Sequence, residues 1–298
     1  MRHTHDHPEG LVRELHRRAQ QFRLDVLEMV HDSNSGHLGG AFSCAEILAA
    51  LYFHHLRIDP ERPDWPERDR LLFSKGHACA ALYSALAHRG FFPPAELLSF
   101  RKVDSRLQGH PDRKTPGIEI PAGPLGHGVA VGCGMALALR ERDAKPSAQT
   151  APSGAASPAS VYVVLGDGEI DAGVIWEGAM LAAKYRLGNL VAILDYNGTQ
   201  QTGATADVMP HEPIAAKWEA FGWHVQEIGG HNVREVLEAL DRADQVHARP
   251  AVIIARTTKG RGVSFMEYDH NWHGTPPTEE QYTAAKVELE AGMQQWLN

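Results

Sequence analysis

Cysteine is scarce in this chain. There are three, Cys44, Cys79 and Cys133, and no two form a C-x-x-C pair. That excludes a disulfide-stapled scaffold and a zinc ribbon. Basic residues are outnumbered, with 29 Lys and Arg against 37 Asp and Glu. The net charge of -8, with no dominant basic stripe, gives nothing to follow a nucleic acid backbone. No apolar run approaches the roughly 20 residues of a membrane-spanning helix. The start, MRHTHDHPEG, lacks the apolar segment of a secretory signal. Together these absences are those expected of a cytoplasmic protein with reduced thiols and neither a nucleic acid nor a membrane partner. Residues 1–9 are expected to be disordered. His3, His5 and His7 alternate as metal ligands can, but a frayed polar end is the better account of them.

The 298 residues are 43% hydrophobic, enough for a sizeable core in one large α/β domain. Apolar positions recur at helical spacing over residues 10–31, which predicts a long amphipathic helix ending at the turn formers DSNSGHLGG. SCAEILAALYFHH (43–55) predicts a second helix, with Ser43 as N-cap and Glu46 completing a capping box. LLFS predicts a short strand before SKGH. HACAALYSALAHRG and GHGVAVGCGMALALRER predict two helices of small residues, able to pack closely. From VYVVL (161–165) onward, apolar strands alternate with helices: LVAIL (190–194), WHVQEI and PAVIIART are the later strands. That rhythm predicts a doubly wound, mainly parallel sheet with helices on both faces. One stretch, AKPSAQTAPSGAASPAS (144–160), is too poor in apolar residues to order itself, and is expected to be a flexible surface insertion.

In such sheets ligands collect beyond the carboxyl ends of the strands. Asp167 and Asn197 stand there, each just past a predicted strand and one βαβ unit apart. A carboxylate and an amide are hard oxygen donors, suited to Mg2+ or Ca2+ rather than zinc. Gly166 and Gly168 let the backbone approach a phosphate, and the following helix N-terminus favours negative charge. Either half alone reads as a turn; both together indicate a metal-bridged diphosphate.

GDG separated by 28 residues from Asn197 resembles the thiamine diphosphate-binding motif. SGHLGG, SKGH, GHPD, GPLGHG, GDGE, WEGAM, DYNG, TKGRG and WHGTPP stand in the order of the N-terminal half of transketolase, from about residue 20 to 285. The likeness is strongest to the N-terminal subunit of transketolases split over two polypeptides. It implies the thiamine diphosphate-binding fold across residues 1–298 as one diphosphate-binding domain. It also implies Mg2+, for which Ca2+ or Mn2+ can substitute, held by Asp167, Asn197 and the Thr199 carbonyl. Gly166 and Gly168 would meet the diphosphate with Asn197, and His77 would lie beside it. Gly123, Pro124 and Leu125 would hold the aminopyrimidine ring. His37, His110 and His273 would face the ketose, His273 also lying near the cofactor.

His37, His77, His110, His127 and His273 each abut a glycine, which suits exposed loops able to approach a ligand. Imidazole can donate to a hydroxyl, shuttle a proton or steady an oxyanion. His127 is the weakest match, since the family commonly has glutamine there. The resemblance implies a ketose carbonyl attacked by the thiazolium carbon, the cofactor taking up electrons on cleavage. Cys79 reads as a small packed residue, and Trp218, Phe221 and Trp223 as core or subunit contact. Lys259 and Arg261 could attract phosphate, but the resemblance implies that a following domain grips the phosphate end of the sugar. The family's activating glutamate belongs to a following pyrimidine-binding domain, which this chain lacks. A separate C-terminal subunit in an α2β2 heterotetramer is therefore expected to supply it. Ala172 stands where the family usually has an interface glutamate. Asp171 and Glu169 are the candidates to stand in for it, and Glu177 matches a second acidic position. The expected activity is transfer of a two-carbon ketol unit between sugars. The rivals are the α subunit of a 2-oxo acid dehydrogenase and a non-catalytic regulatory subunit.

Overall fold

The computed structural model describes residues 7–143 and 158–297. Five parallel strands form one sheet: β1 (Arg70–Phe73), β2 (Val161–Gly166), β3 (Leu190–Tyr196), β4 (His224–Gly229) and β5 (Ala251–Arg256), in the order β1-β2-β3-β5-β4. β2 and β3 are buried along their whole length, and this is why they read as unbroken apolar runs. Alternate side chains serve opposite faces. Tyr162 and Val164 join one core with Val191 and Ile193, while Val161, Val163 and Leu165 join another with Ala192 and Leu194. This is the expected α/β fold with helices on both faces.

The first face is covered by α1 (Glu9–Asp32), α2 (Gly39–Ser43), α3 (Ala45–Ala50), α4 (Cys79–Arg89) and α9 (Val233–Asp244). The second is covered by α5 (His127–Asp143), α6 (Gly173–Lys184) and α8 (Ile214–Ala220). A four-residue turn, α7 (Thr205–Val208), lies between β3 and α8, and α10 (Glu279–Gln294) packs against α1. The two small-residue helices lie on opposite faces. α5 packs instead on α6, where a Cβ at Gly178 would stand 3.0 Å from Val129.

Several expectations need correction. Residues 1–6 and 144–157 lie outside the described residues, and so does most of each segment expected to be disordered. Residues 7–9, however, are held. His7 is buried, its carbonyl accepts from Arg234 at 2.7 Å, and Glu9 opens α1. The single helix over 43–55 is three pieces, α2, α3 and a wide π turn at Leu51–His55. Ser43 does not cap it: it is the last residue of α2, Cys44 takes the N-cap position of α3, and the Ser43 hydroxyl donates to Asp195 at 2.5 Å. Glu46 is not a capping residue either. Both its oxygens accept from the buried Arg23 of α1, at 2.7 and 2.6 Å. Burial works against the Glu46 charge, yet Arg23 and then His231 hold its pKa down at about 2. α10, which the apolar pattern does not announce, opens on a true capping box formed by Thr278 and Gln281. Among the described residues no helix is long and apolar enough to cross a membrane.

Arg23→Met leaves the Glu46 carboxylate buried without its cation, and should destabilise the chain by about 3 to 5 kcal/mol in denaturant unfolding. A loss below about 1 kcal/mol would show that the pair is exposed in solution.

Candidate functional site

Asp195, the penultimate residue of the central strand β3, is fully buried. Three neighbouring segments converge on its carboxylate. Ser43 of α2 donates to Oδ2, Thr257 just past β5 donates to Oδ1, and the Lys75 ammonium just past β1 pairs with Oδ2. Lys75 also donates to the Gly40 carbonyl at 2.8 Å. Burial, the largest influence, opposes the lysine charge, but Asp195 leads the neighbouring groups that together outweigh it, and the pKa is raised.

Beside this lock is a cavity of about 190 Å³, lined by residues that include Lys75, His77, Asp167, Asn197, Lys259 and His273. β2 and β3 are adjacent and in register to Gly166 and Asp195, so Asp167 and Asn197 emerge side by side. Asp167 Oδ2 accepts from the Thr205 hydroxyl at 2.9 Å, and Oδ1 from the Gly168 N–H at 3.0 Å. Burial raises the Asp167 pKa, with Thr205 opposing it and Asp195 adding to it. A divalent cation would relieve that penalty. Asn197 Oδ1 accepts from the Thr199 N–H at 3.1 Å, and Thr199 is bridged to Ala204, which fixes the turn. Among the described residues no three His, Cys, Asp or Glu side chains form a metal cluster. One carboxylate, one amide and backbone carbonyls make a donor set suited to a hard cation that keeps phosphate and water ligands.

Three imidazoles stand together at the cavity. The His37 ring centroid is 5.2 Å from both His77 and His273, which are 4.9 Å from each other. Burial, then the Arg101 charge, lowers the His37 pKa to about 4. Burial, then Lys259, lowers that of His273 to about 3. His77 is lowered well below its ordinary value by burial and Lys75. The cluster is a neutral set of hydrogen-bonding rings at neutral pH.

The family model for the transketolase thiamine diphosphate-binding domain matches residues 15–295. The chain belongs to the transketolase family. It is 43% identical to the 6-deoxy-6-sulfo-D-fructose transketolase subunit of Clostridium sp. (strain MSTE9), over 93% of this chain and 96% of that one. It is 39% identical to an apulose-4-phosphate transketolase subunit of Phocaeicola vulgatus, over 93% and 94%. Human transketolase is 38% identical over 87% of this chain but only 39% of its own length. The transketolase structure from Campylobacter jejuni superposes with a TM-score of 0.84 at 32% identity, over 95% of this chain and 45% of that one. The chain thus spans under half of the one-chain transketolases and nearly all of the relatives named as subunits.

Within this transketolase domain, His77, Leu125, Gly166, Asp167, Gly168, Asn197, Thr199 and His273 line the one cavity. His37 packs against two of them. His110 is exposed and lines a neighbouring, wider cavity of about 720 Å³. Gly123 and Pro124 are exposed and outside the smaller cavity. His127 sits not in a loop but at the first turn of α5, exposed, with Nδ1 3.3 Å from the Leu125 carbonyl. Cys79 is buried, and burial raises its thiol to about 12, so it is no thiolate. Trp218 and Trp223 are core residues, and Phe221 stacks on Trp176.

Sequence pattern does not disclose the lock, and it assigns Lys259 no role. That lysine is buried in the cavity, where Nζ donates to the Gln200 carbonyl at 2.8 Å and lies 3.1 Å from His273 Nδ1. Burial lowers its pKa to about 8, with Asp167 opposing. Glu169 is committed internally to Ser74, Gly126 and Gly166, and Asp171 to His211, so neither stands in freely for the residue at Ala172. Asp195 alone had a signal, since a charged residue within an apolar strand requires a buried partner, but nothing in the pattern names Lys75 as that partner.

The folded His37 pKa lies below the ordinary 6.5, so the unfolded chain takes its proton first and acidification from 6.5 towards 4 costs stability. NMR of ring-labelled protein should find His37 neutral at pH 6 and charging only near pH 4. Half-protonation near the ordinary value would contradict the buried geometry.

Proposed function

We propose that the chain is the N-terminal subunit of a two-component, Mg2+-dependent transketolase. With a separate pyrimidine-binding subunit it moves a two-carbon ketol unit from a ketose bearing an anionic end group, such as phosphate, to an aldose. The observation that carries the reading is the pairing of Asp167 with Asn197 at adjacent strand ends, beside a cavity in a thiamine diphosphate-binding domain. The substrate class is supported by relatives named for a sulfo-sugar and a phospho-sugar.

Asp167, Asn197 and the Thr199 carbonyl would hold Mg2+. Gly166, Gly168, His77 and Lys259 would surround the diphosphate, with Gly123, Pro124 and Leu125 at the pyrimidine ring. When bound, thiamine diphosphate supplies the nucleophilic carbon and the electron sink for carbon–carbon cleavage. The chain's own residues orient and move protons. His273, held neutral with Nδ1 facing the Lys259 ammonium, offers its Nε2–H to a sugar hydroxyl, and His37, also held neutral with Nδ1 buried, offers Nε2. His110, exposed in the wider cavity, would meet the sugar further out.

A partner subunit is supported by the printed names of the relatives. It is also supported by the exposed Leu125, Val131, Met180 and Leu181, apolar side chains on or next to α5 and α6 that a partner would cover. We take the assembly to be α2β2 and cytoplasmic. The rival of an idle regulatory subunit rests on Ala172.

Calorimetry of the partner-complemented protein should detect Mg2+-assisted uptake of thiamine diphosphate, lost in Asp167→Ala. Glycolaldehyde transfer without CO2 release should follow, whereas decarboxylation of a 2-oxo acid would sink the reading. His273→Ala should lower kcat by about 100-fold or more if the ring handles protons. Unchanged turnover in both His110→Ala and His273→Ala would favour the idle subunit.

A further inference from the structure

The turn after β5 is fastened residue by residue. Thr257 bonds to Asp195, and the Gly260 N–H donates to the Gly39 carbonyl at 3.1 Å. Between them the Thr258 N–H donates to His231 Nε2 at 2.8 Å, and Lys259 enters the cavity. His231 lies in the loop between β4 and α9, outside the cavity lining. Its other nitrogen, Nδ1, is 3.0 Å from Glu46 Oε2. Glu46 is in turn paired with Arg23 at 2.6 Å, and both are buried.

We propose that His231 is a positioning residue, linking the Arg23–Glu46 pair of α1 and α3 to the Thr258 amide and so fixing the turn that carries Lys259. An acceptor at Nε2 and a carboxylate at Nδ1 define one form of the ring, neutral with its proton on Nδ1. With both nitrogens committed, the ring serves neither as a ligand nor as a general acid. Its task is to satisfy one backbone donor from a rigid base, which α1 and α3 supply. The loss of that acceptor would free the turn at Thr258 and let Lys259 swing from the Gln200 carbonyl and His273.

The consequence for cofactor affinity rests on the proposed transketolase function, but the positioning itself does not. Two measurements separate them. In the full chain, 15N NMR should find His231 neutral and protonated at Nδ1; the Nε2-protonated form would overturn the proposal. Amide exchange at Thr258 should accelerate about tenfold or more in His231→Ala, in which the N–H loses its acceptor, and stay near wild type in His231→Gln. The glutamine amide can accept from Thr258 and donate to Glu46. Unchanged exchange in a folded His231→Ala would also overturn it. With partner and Mg2+ present, the thiamine diphosphate Kd should rise about tenfold in His231→Ala, with kcat at saturating cofactor reduced less, and be restored in His231→Gln. If no form of the protein takes up thiamine diphosphate while Thr258 exchange still responds, the proposed function fails and the positioning role stands.

Discussion

The site depends on one buried carboxylate. Asp195 is the last residue but one of the central strand, and its two oxygens collect Ser43 from α2, Lys75 from beyond β1 and Thr257 from beyond β5. An ion pair of this kind adds little net stability, because desolvating both charges offsets their attraction. Its value here is directional. Three segments that are far apart in sequence have one shared point to meet, and each of them bears a residue of the cavity or its rim. Gly40 lies on the α2 segment, His77 follows Lys75, and Lys259 follows Thr257.

The chemistry of the cavity follows from what is charged and what is not. Asp195 and Lys75 neutralise each other, and the three imidazoles are held uncharged by burial and by nearby cations. Asp167 remains as a desolvated carboxylate facing the same space, with Lys259 across from it. A bound cation and a polyanion would complete this arrangement with opposite charges in the order that Asp167 and Lys259 prescribe.

Much of the fold was legible because parallel strands buried on both faces leave unbroken apolar runs, as in VYVVL (161–165) and LVAIL (190–194). Asp167 and Asn197 were legible because the same runs locate the strand ends. The Lys75–Asp195 lock was not, since the partners are 120 residues apart and only folding joins them. The capping-box rule failed at Ser43, which ends α2 and turns its hydroxyl to a tertiary partner, and would have succeeded at Thr278, whose hydroxyl oxygen accepts from the Gln281 N–H while its proton goes to Glu280. α10 escaped notice because it buries only Ala285 and Leu289 and so has a faint apolar stripe. His231 follows Gly230, so the reasoning that drew attention to the other glycine-flanked histidines applied to it as well. Its role, however, is visible only once Glu46 and Thr258 are brought to either side of the ring.

β4 is an edge strand on which Ile228 is buried while the polar His224, Gln226 and Glu227 are partly or fully open to solvent. Glu227 on it is bridged to Arg256 at 2.8 Å, and Gln226 accepts from Arg242 at 2.7 Å. Such an edge repels a foreign strand rather than inviting it, since a newcomer would have to strip those charged groups of water. At that margin the sheet cannot be lengthened across a subunit boundary. A partner meeting this margin would have to engage helix surfaces instead, where side-chain shape rather than backbone ladder decides which neighbour is accepted.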